Sequence, residues 1–244
     1  MHAKRTDDSD ALLVPGRVIG GKYVVEGFIG RGVEGEVYKV KESRTGLTRA
    51  AKVFFPMRDV KEKISTWHAR KLDKLRHCSA VLQFFHVETV RARGHQLTCL
   101  ISEFLGGSPL YDFLKTLPGR RLAPFEALHL TYALCKGLED IHNAREYHGD
   151  LHSSNIFVMP PDIVFDVKFI DFYLLARPTV SERQAHLIDI VHVLHECVGG
   201  RRRYANQPPE IKYICSGLRR GLIVKKFPTV SDLRRHLETF EWEV

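Results

Sequence analysis

Apolar and polar positions change their spacing along the chain, and each change marks an element. Residues 1 to about 15 are polar without sustained periodicity and predict a flexible extension. Tyr23-Val24-Val25 with Phe28-Ile29 predict a strand. After Gly35 the residues alternate, Val37, Lys39 and Lys41 against Tyr38 and Val40, as a second strand does. Leu47 to Phe55 predicts a third. From near Asp59 to about Leu75 the period lengthens, and Ile64, His68, Leu72 and Leu75 fall on the inward face of a helix. Two apolar stretches, Val81 to Val90 and Leu97 to Glu103, flank the polar Arg91-Ala92-Arg93-Gly94-His95 and predict a hairpin. Helical spacing then dominates. Leu110 to Leu117 is stopped by Pro118-Gly119, and Pro124 to His142 carries the core stripe Ala127, Leu130, Leu134, Leu138 and Ile141. Ala185 to Val198, Glu210 to Leu222 and Val230 to Phe240 predict three further helices. Ile156 to Val158 and Val164 to Ile170 predict a small strand pair around Pro160-Pro161-Asp162.

Composition narrows the classes. The chain has 244 residues, 44% of them hydrophobic and 27% charged, enough for one large domain or two small lobes. No run of about 18 apolar residues predicts a membrane span, and the first ten residues lack the apolar segment of a secretory signal. Cys78, Cys99, Cys135, Cys197 and Cys215 are scattered without CxxC spacing, which predicts reduced thiols and a cytoplasmic setting. The net charge is +8. Much of the excess sits between Arg58 and Arg76 and at Arg201, Arg202, Arg203, Arg219, Arg220, Lys225 and Lys226. No zinc-finger spacing or RNA-binding motif accompanies these residues, so nucleic acid is not expected. The basic residues read first as a solvated face and second as a site for an acidic protein partner.

Candidate chemistry lies in four places. Gly30-Arg31-Gly32-Val33-Glu34-Gly35 is a glycine-rich turn entering a strand, where absent Cβ atoms let backbone approach phosphates. Lys52 stands among small and apolar residues in the Leu47 to Phe55 strand. His148-Gly149-Asp150-Leu151-His152-Ser153-Ser154-Asn155 sets an Asp and an Asn five positions apart. Asp171-Phe172-Tyr173 follows an apolar strand-like run. Together they supply a carboxylate to accept a hydroxyl proton, with an amide and a second carboxylate to hold Mg²⁺. His186, His192 and His195 offer a different chemistry, a metal site, which needs further ligands.

On these motifs the chain resembles the protein-kinase superfamily, and the lead-in Pro15 to Tyr23 looks like that of bacterial eukaryotic-like Ser/Thr protein kinases. The resemblance implies an α+β, two-lobed fold: an extension over 1–15, a small antiparallel β lobe with one helix over 16–105, and a larger, mainly helical lobe over 106–244. It implies Mg²⁺-ATP bound between the lobes and a protein substrate. Gly30, Gly32, Gly35, Val37, Ala50 and Lys52 would contact nucleotide. Ser102 would line the back of the adenine pocket, and Glu103 and Leu105 would offer backbone groups to the base. Asp150, Lys52 and Asn155 would be catalytic, with Asn155 and Asp171 on the metal.

The departures are specific. Gly149 replaces the loop Arg that binds a phosphorylated activation segment, so such phosphorylation is not expected to be the switch. Tyr173 replaces a Gly. No Ala-Pro-Glu follows, and only a short activation segment separates Asp171 from Asp189. His68 stands where the helix Glu would pair with Lys52, and Glu62, roughly 120° around the helix, is a poor substitute unless the helix rotates, so Lys52 is expected to lack its usual anionic anchor. His-Gly-Asp-Leu-His also looks like the loop of aminoglycoside-type small-molecule phosphotransferases. The reading adopted is an ATP-dependent protein Ser/Thr kinase, with a nucleotide-binding pseudokinase and a small-molecule kinase as alternatives.

Overall fold

A computed structural model describes residues 11–159, 165–173 and 179–239. The chain divides into two compact units. One runs through Arg76 and resumes over Leu82–Leu105; the other takes His77–Val81 and the described residues from Gly106 onward.

The first unit is a six-stranded antiparallel sheet: β1 (Val18–Ile19), β2 (Tyr23–Arg31), β3 (Gly35–Glu42), β4 (Thr48–Phe54), β5 (Phe84–Ala92) and β6 (His95–Glu103), in the order β1-β2-β3-β4-β6-β5. Period-two alternation sorts its side chains. Tyr38, Val40, Ala51, Val53, Cys99 and Ile101 form the buried core on one face. Val37, Ala50 and Lys52 fall on the other, Val37 directly opposite Lys52. The hairpin strands run further than their apolar stretches, into residues expected to separate them. Arg93 and Gly94 both have positive φ, 48° and 80°, which fits a two-residue turn matched to the strand twist.

The N-terminal expectation needs correction. Residues 1–10 lie outside the described residues, but Leu13 is buried in the core cluster. The Leu12 N–H donates to Glu36 Oε2 at 2.8 Å, and the Leu13 N–H donates to the Tyr38 hydroxyl at 3.0 Å. Leu13 covers the sheet face with Ala11 and Leu12 packed beside it, so this stretch is held.

Helix α1 (Lys63–Lys74) also starts later than expected from Asp59, because Lys61 and Glu62 adopt left-handed φ of 55°. Asp59 Oδ1 accepts from the Ile64 and Ser65 amides at 2.9 and 3.0 Å, satisfying the first turn from outside the helix.

The second unit holds a three-stranded sheet, β7 (Ser108–Pro109), β8 (Ile156–Val158) and β9 (Val167–Phe169), and helices α2 (Leu110–Thr116), α3 (Pro124–Asn143), α4 (Val180–Cys197), α5 (Pro209–Cys215), α6 (Arg220–Lys226) and α7 (Val230–Glu238). The turn expected at residues 160–162, the start of its strand at Val164 and the helix end at Phe240 lie outside the described residues. The single helix predicted from Glu210 to Leu222 is two. Ser216, Gly217 and Leu218 all have positive φ and break it. Helix α4 begins five residues before Ala185, since Thr179 and Glu182 close a reciprocal capping box, the Glu182 amide donating to Thr179 Oγ1 at 3.3 Å.

All five cysteines are buried free thiols. Among the described residues no helix is long and apolar enough to cross a membrane. Arg201, Arg202, Arg203, Arg219 and Arg220 are exposed.

Candidate functional site

In the first unit the β2–β3 turn is pressed onto β4. The Gly32 amide donates to the Gly35 carbonyl at 2.9 Å, and the Phe55 amide donates to the Glu34 carbonyl at 2.9 Å. A Cβ at Gly35 would collide with the Val53 carbonyl oxygen, which is why glycine stands there. This places the Glu34 side chain over Lys52. The Lys52 ammonium lies 2.9 Å from Glu34 Oε2, and the same oxygen is 2.9 Å from His68 Nε2. Burial alone would raise the Glu34 carboxyl. The hydrogen bond from His68 and the charge of Lys52 outweigh it and bring the pKa down to about 2.

The expectation that Lys52 has no anionic partner is therefore corrected: the acid comes from the glycine turn instead of the helix. His68 does occupy the inward helical position, buried, but it hydrogen-bonds the carboxylate that serves Lys52. Glu62 is turned to other work, accepting from the Thr98 hydroxyl at 3.2 Å.

At the end of β6, Ser102 is buried and its hydroxyl donates to the Glu103 carbonyl at 3.3 Å. The Glu103 amide donates to the Gln83 carbonyl at 2.9 Å, and its side chain accepts from the Gln83 amide at 2.8 Å. Both Glu103 backbone groups thus have protein partners. Leu105 is the last residue of this unit.

In the second unit the 148–155 loop is tied down on every side through its backbone. The His148 ring donates from Nε2 to the Ile170 carbonyl at 2.8 Å, and its Nδ1 accepts from the Asp150 amide at 3.3 Å, which fixes a neutral tautomer. The Tyr173 amide donates to the His148 carbonyl at 2.9 Å and the Ile170 amide to the Asn155 carbonyl at 3.0 Å, so the loop and the 170–173 segment are zipped together. Ser153 donates to Glu196 on α4 at 3.0 Å. Phe172 is buried with its ring centroid 4.6 Å from that of His148.

Beneath the loop lies a histidine pair. His186 Nε2 accepts from the amides of His148 and Gly149 at 3.2 and 3.3 Å. Its Nδ1 then carries the proton and donates to His142 Nε2 at 2.8 Å, the rings stacked 5.1 Å apart. Both rings are neutral in this arrangement. Burial first, and then the charge of Arg183, push the His142 pKa down to about 4. Gly149 has a φ of 86°, a conformation glycine adopts without strain, and this exposes its amide to His186.

On this fixed backbone the Asp150 side chain is 55% exposed, so the carboxylate is presented to solvent while its amide and carbonyl are hydrogen-bonded. Its Oδ2 is 3.7 Å from His152 Nε2, and His152 Nδ1 accepts from the Ser154 amide at 3.3 Å. The Asn155 amide group donates to the Asp150 carbonyl at 2.9 Å, leaving Oδ1 as its remaining acceptor. Asp171 is exposed and left-handed, with φ 55°. Asp189 is partly buried. Its burial, then the negative charge of Asp150, push its pKa up to about 6 against the opposing charge of Arg220.

Among the described residues no group of three or more His, Cys, Asp or Glu side chains could hold a metal. The reading of His186, His192 and His195 as a metal site accordingly gives way: both His186 nitrogens are engaged in hydrogen bonds. Asn155 and Asp171 are oxygen donors only, which suits a hard cation such as Mg²⁺ held by one or two protein ligands together with substrate phosphates. Of the expected activation segment, residues 174–178 lie outside the described residues and the capped start of α4 takes up Val180 onward. Sequence reasoning missed Glu34 and His142, and it singled out His186 in a different role, as a metal candidate. An acid at the tip of a glycine-rich turn was the available signal for the first; the histidine pair, 44 positions apart, had none.

Myosin-IIIb of Mus musculus is 31% identical over 155 residues, which are 62% of this chain and 12% of that protein. The serine/threonine-protein kinase PkaA of Streptomyces coelicolor is 26% identical over 151 residues, 58% of this chain and 27% of that protein. The chain spans only a small part of the length of these relatives. The solved kinase domain of PknI from Mycobacterium tuberculosis matches with a TM-score of 0.65 at 17% identity, covering 93% of this chain and 98% of that one, a likeness of fold. The family model described as the protein kinase domain matches residues 23–202, from the first residue of β2 to just past α4. That span takes in the glycine turn, Lys52, the 148–155 loop and Asp171, and the chain belongs to the protein kinase domain family.

Proposed function

We propose that the chain is a protein Ser/Thr kinase that transfers the γ-phosphoryl group of Mg²⁺-ATP to a hydroxyl. The observation that carries this reading is the 148–155 loop: a backbone tied to β9's end, α4 and the histidine pair, presenting one exposed carboxylate beside one amide oxygen. Preorganised positioning of this kind is what phosphoryl transfer requires of a protein.

Asp150 accepts the proton of the acceptor hydroxyl as its oxygen bonds to the γ-phosphorus. The bond from that phosphorus to the β–γ bridging oxygen breaks, and ADP departs with the electron pair. Lys52 and amides of the glycine turn other than that of Gly32 bind phosphate oxygens. Asn155 Oδ1 and Asp171 would hold Mg²⁺, which would supply positive charge against the phosphates. Val37 and Ala50, on the same sheet face as Lys52, offer an apolar surface to the base.

The test is incubation with γ-labelled ATP and Mg²⁺, on generic protein acceptors and on the chain itself. The wild type transfers label, and Asp150→Ala lowers transfer by about 10² or more while ATP affinity changes little, because a general base acts mainly in the transition state. EDTA abolishes transfer. The second reading, a nucleotide-binding regulator without turnover, is favoured by one observation, the engagement of Lys52 by Glu34. It predicts ATP binding with no label transferred by either protein.

A further inference from the structure

We infer that Glu34 is an internal competitor for Lys52, a carboxylate that nucleotide phosphates must displace in order to bind. The inference rests on the nucleotide-binding reading above and concerns the same site.

The source of the carboxylate is the decisive point. It comes from the turn whose backbone phosphates would approach, so the acid and the phosphates claim the same ammonium from the same side of the chain. The placement is built from three independent contacts. The Phe55 amide pins the Glu34 carbonyl at 2.9 Å, while Lys52 and His68 each hold Oε2 at 2.9 Å. The resulting strong preference for the charged form means a full negative charge stands there at neutral pH. A polyphosphate brought within a few ångströms of that charge is repelled, and only weakly screened, because the Glu34 side chain is 30% exposed and the Lys52 side chain 21%.

The carboxylate is also able to yield. The turn backbone stays pinned through the Phe55 amide, but the Glu34 side chain is 30% exposed and the neighbouring Val33 is 74% exposed, so the carboxylate can rotate out to solvent without the turn being lifted. Binding is thus an exchange of anions on Lys52. The Glu34 carboxylate leaves for solvent, His68 loses its acceptor, and a phosphate oxygen takes the vacated N–H. A ligand without phosphates has no quarrel with Glu34, and this separates the inference from a general loosening of the turn.

The experiment is calorimetric titration of wild type, Glu34→Gln and Glu34→Ala with Mg²⁺-ATP and, separately, with adenosine. Glu34→Gln keeps the size and removes the charge. It tightens Mg²⁺-ATP about tenfold, in the range expected for a charge-assisted hydrogen bond that no longer has to be broken, and leaves adenosine unchanged within about twofold. Glu34→Ala moves Mg²⁺-ATP in the same direction. Equal or weaker Mg²⁺-ATP binding by Glu34→Gln overturns the inference, since a carboxylate that stays on Lys52 as its anchor would be missed when removed. A matching gain for adenosine overturns it as well. If no protein, wild type included, binds either ligand at millimolar concentration, the nucleotide reading itself is wrong and the competition falls with it.

Discussion

The Lys52 site and the 148–155 loop achieve order by opposite means. At Lys52 the order is ionic and borne by side chains: a carboxylate on a turn shared between an ammonium and an imidazole, all three at the ends of rotatable chains. In the loop the order is neutral and borne by the backbone, with amides and carbonyls captured by ring nitrogens of His148 and His186. Charged contacts at partly exposed positions exchange readily for another ion of the same sign. Buried backbone hydrogen bonds do not, since each broken one leaves an unsatisfied group. The difference matches the tasks proposed for the two regions, a place where an anion enters and a place where a carboxylate must stay put.

His186→Ala should have the largest effect on the loop. It removes the acceptor for two amides and a buried ring at once, and we expect a loss of roughly 3 kcal/mol or more of unfolding free energy in urea titration. Glu34→Gln in the same assay should cost less, about 1 kcal/mol, because the two contacts it weakens, to Lys52 and His68, are made by a partly exposed carboxylate. Similar losses for the two would show that the loop is no more rigidly held than the turn.

Acid separates the regions by window. His142 has its folded pKa depressed from 6.5 to about 4, so its contribution to stability is complete above pH 6.5 and is lost as the pH falls through 4. Glu34 is depressed from 4.5 to about 2, so its contribution is complete above pH 4.5 and is lost only as the pH falls through 2. Melting temperatures of wild type and His142→Asn, compared at steps of pH, should converge between about pH 6.5 and 4. The corresponding curves for Glu34→Gln should stay parallel to wild type until below about pH 4.5. Convergence of both pairs in one window would remove the distinction.

The smallest expected effect concerns Asp189. Its folded pKa is raised from 3.8 to about 6, so the stability tied to its neutral form is present below pH 3.8 and lost as the pH rises through 6. Asp189→Asn should therefore stabilise the chain at pH 8, by about 1 kcal/mol, and be close to neutral in effect at pH 3. Asp150→Ala should relieve part of the same repulsion, so the double variant should gain less than the sum. Additive gains would mean that the two carboxylates do not sense each other.

Much of the fold could be read along the chain because its elements are periodic and locally punctuated. The strands after Gly35 and from Leu47, the stripe of α3 and the β8–β9 pair emerged within a few residues of expectation. Where boundaries moved, a local cause was responsible: the Thr179 and Glu182 capping box lengthened α4, positive φ at Lys61 and Glu62 shortened α1, and Ser216-Gly217 cut a helix in two. Lys52, Asp150, Asn155 and Asp171 stood out along the chain as candidates by residue type and interval.

Motif spacing is a property of the chain and survives without coordinates, so the sequence alone was enough to nominate candidates for phosphoryl chemistry. Only the tertiary structure decided what each of them touches. Glu34 and Lys52 are 18 residues apart and His142 and His186 are 44 apart, and periodicity says nothing about pairs that meet across strands and helices. Position on a helix face correctly turned His68 inward, yet could not say that an acid from a distant turn would already be waiting there. A partner's identity is fixed by where two backbones bring their side chains, and that is set by the packing of the whole sheet and helix.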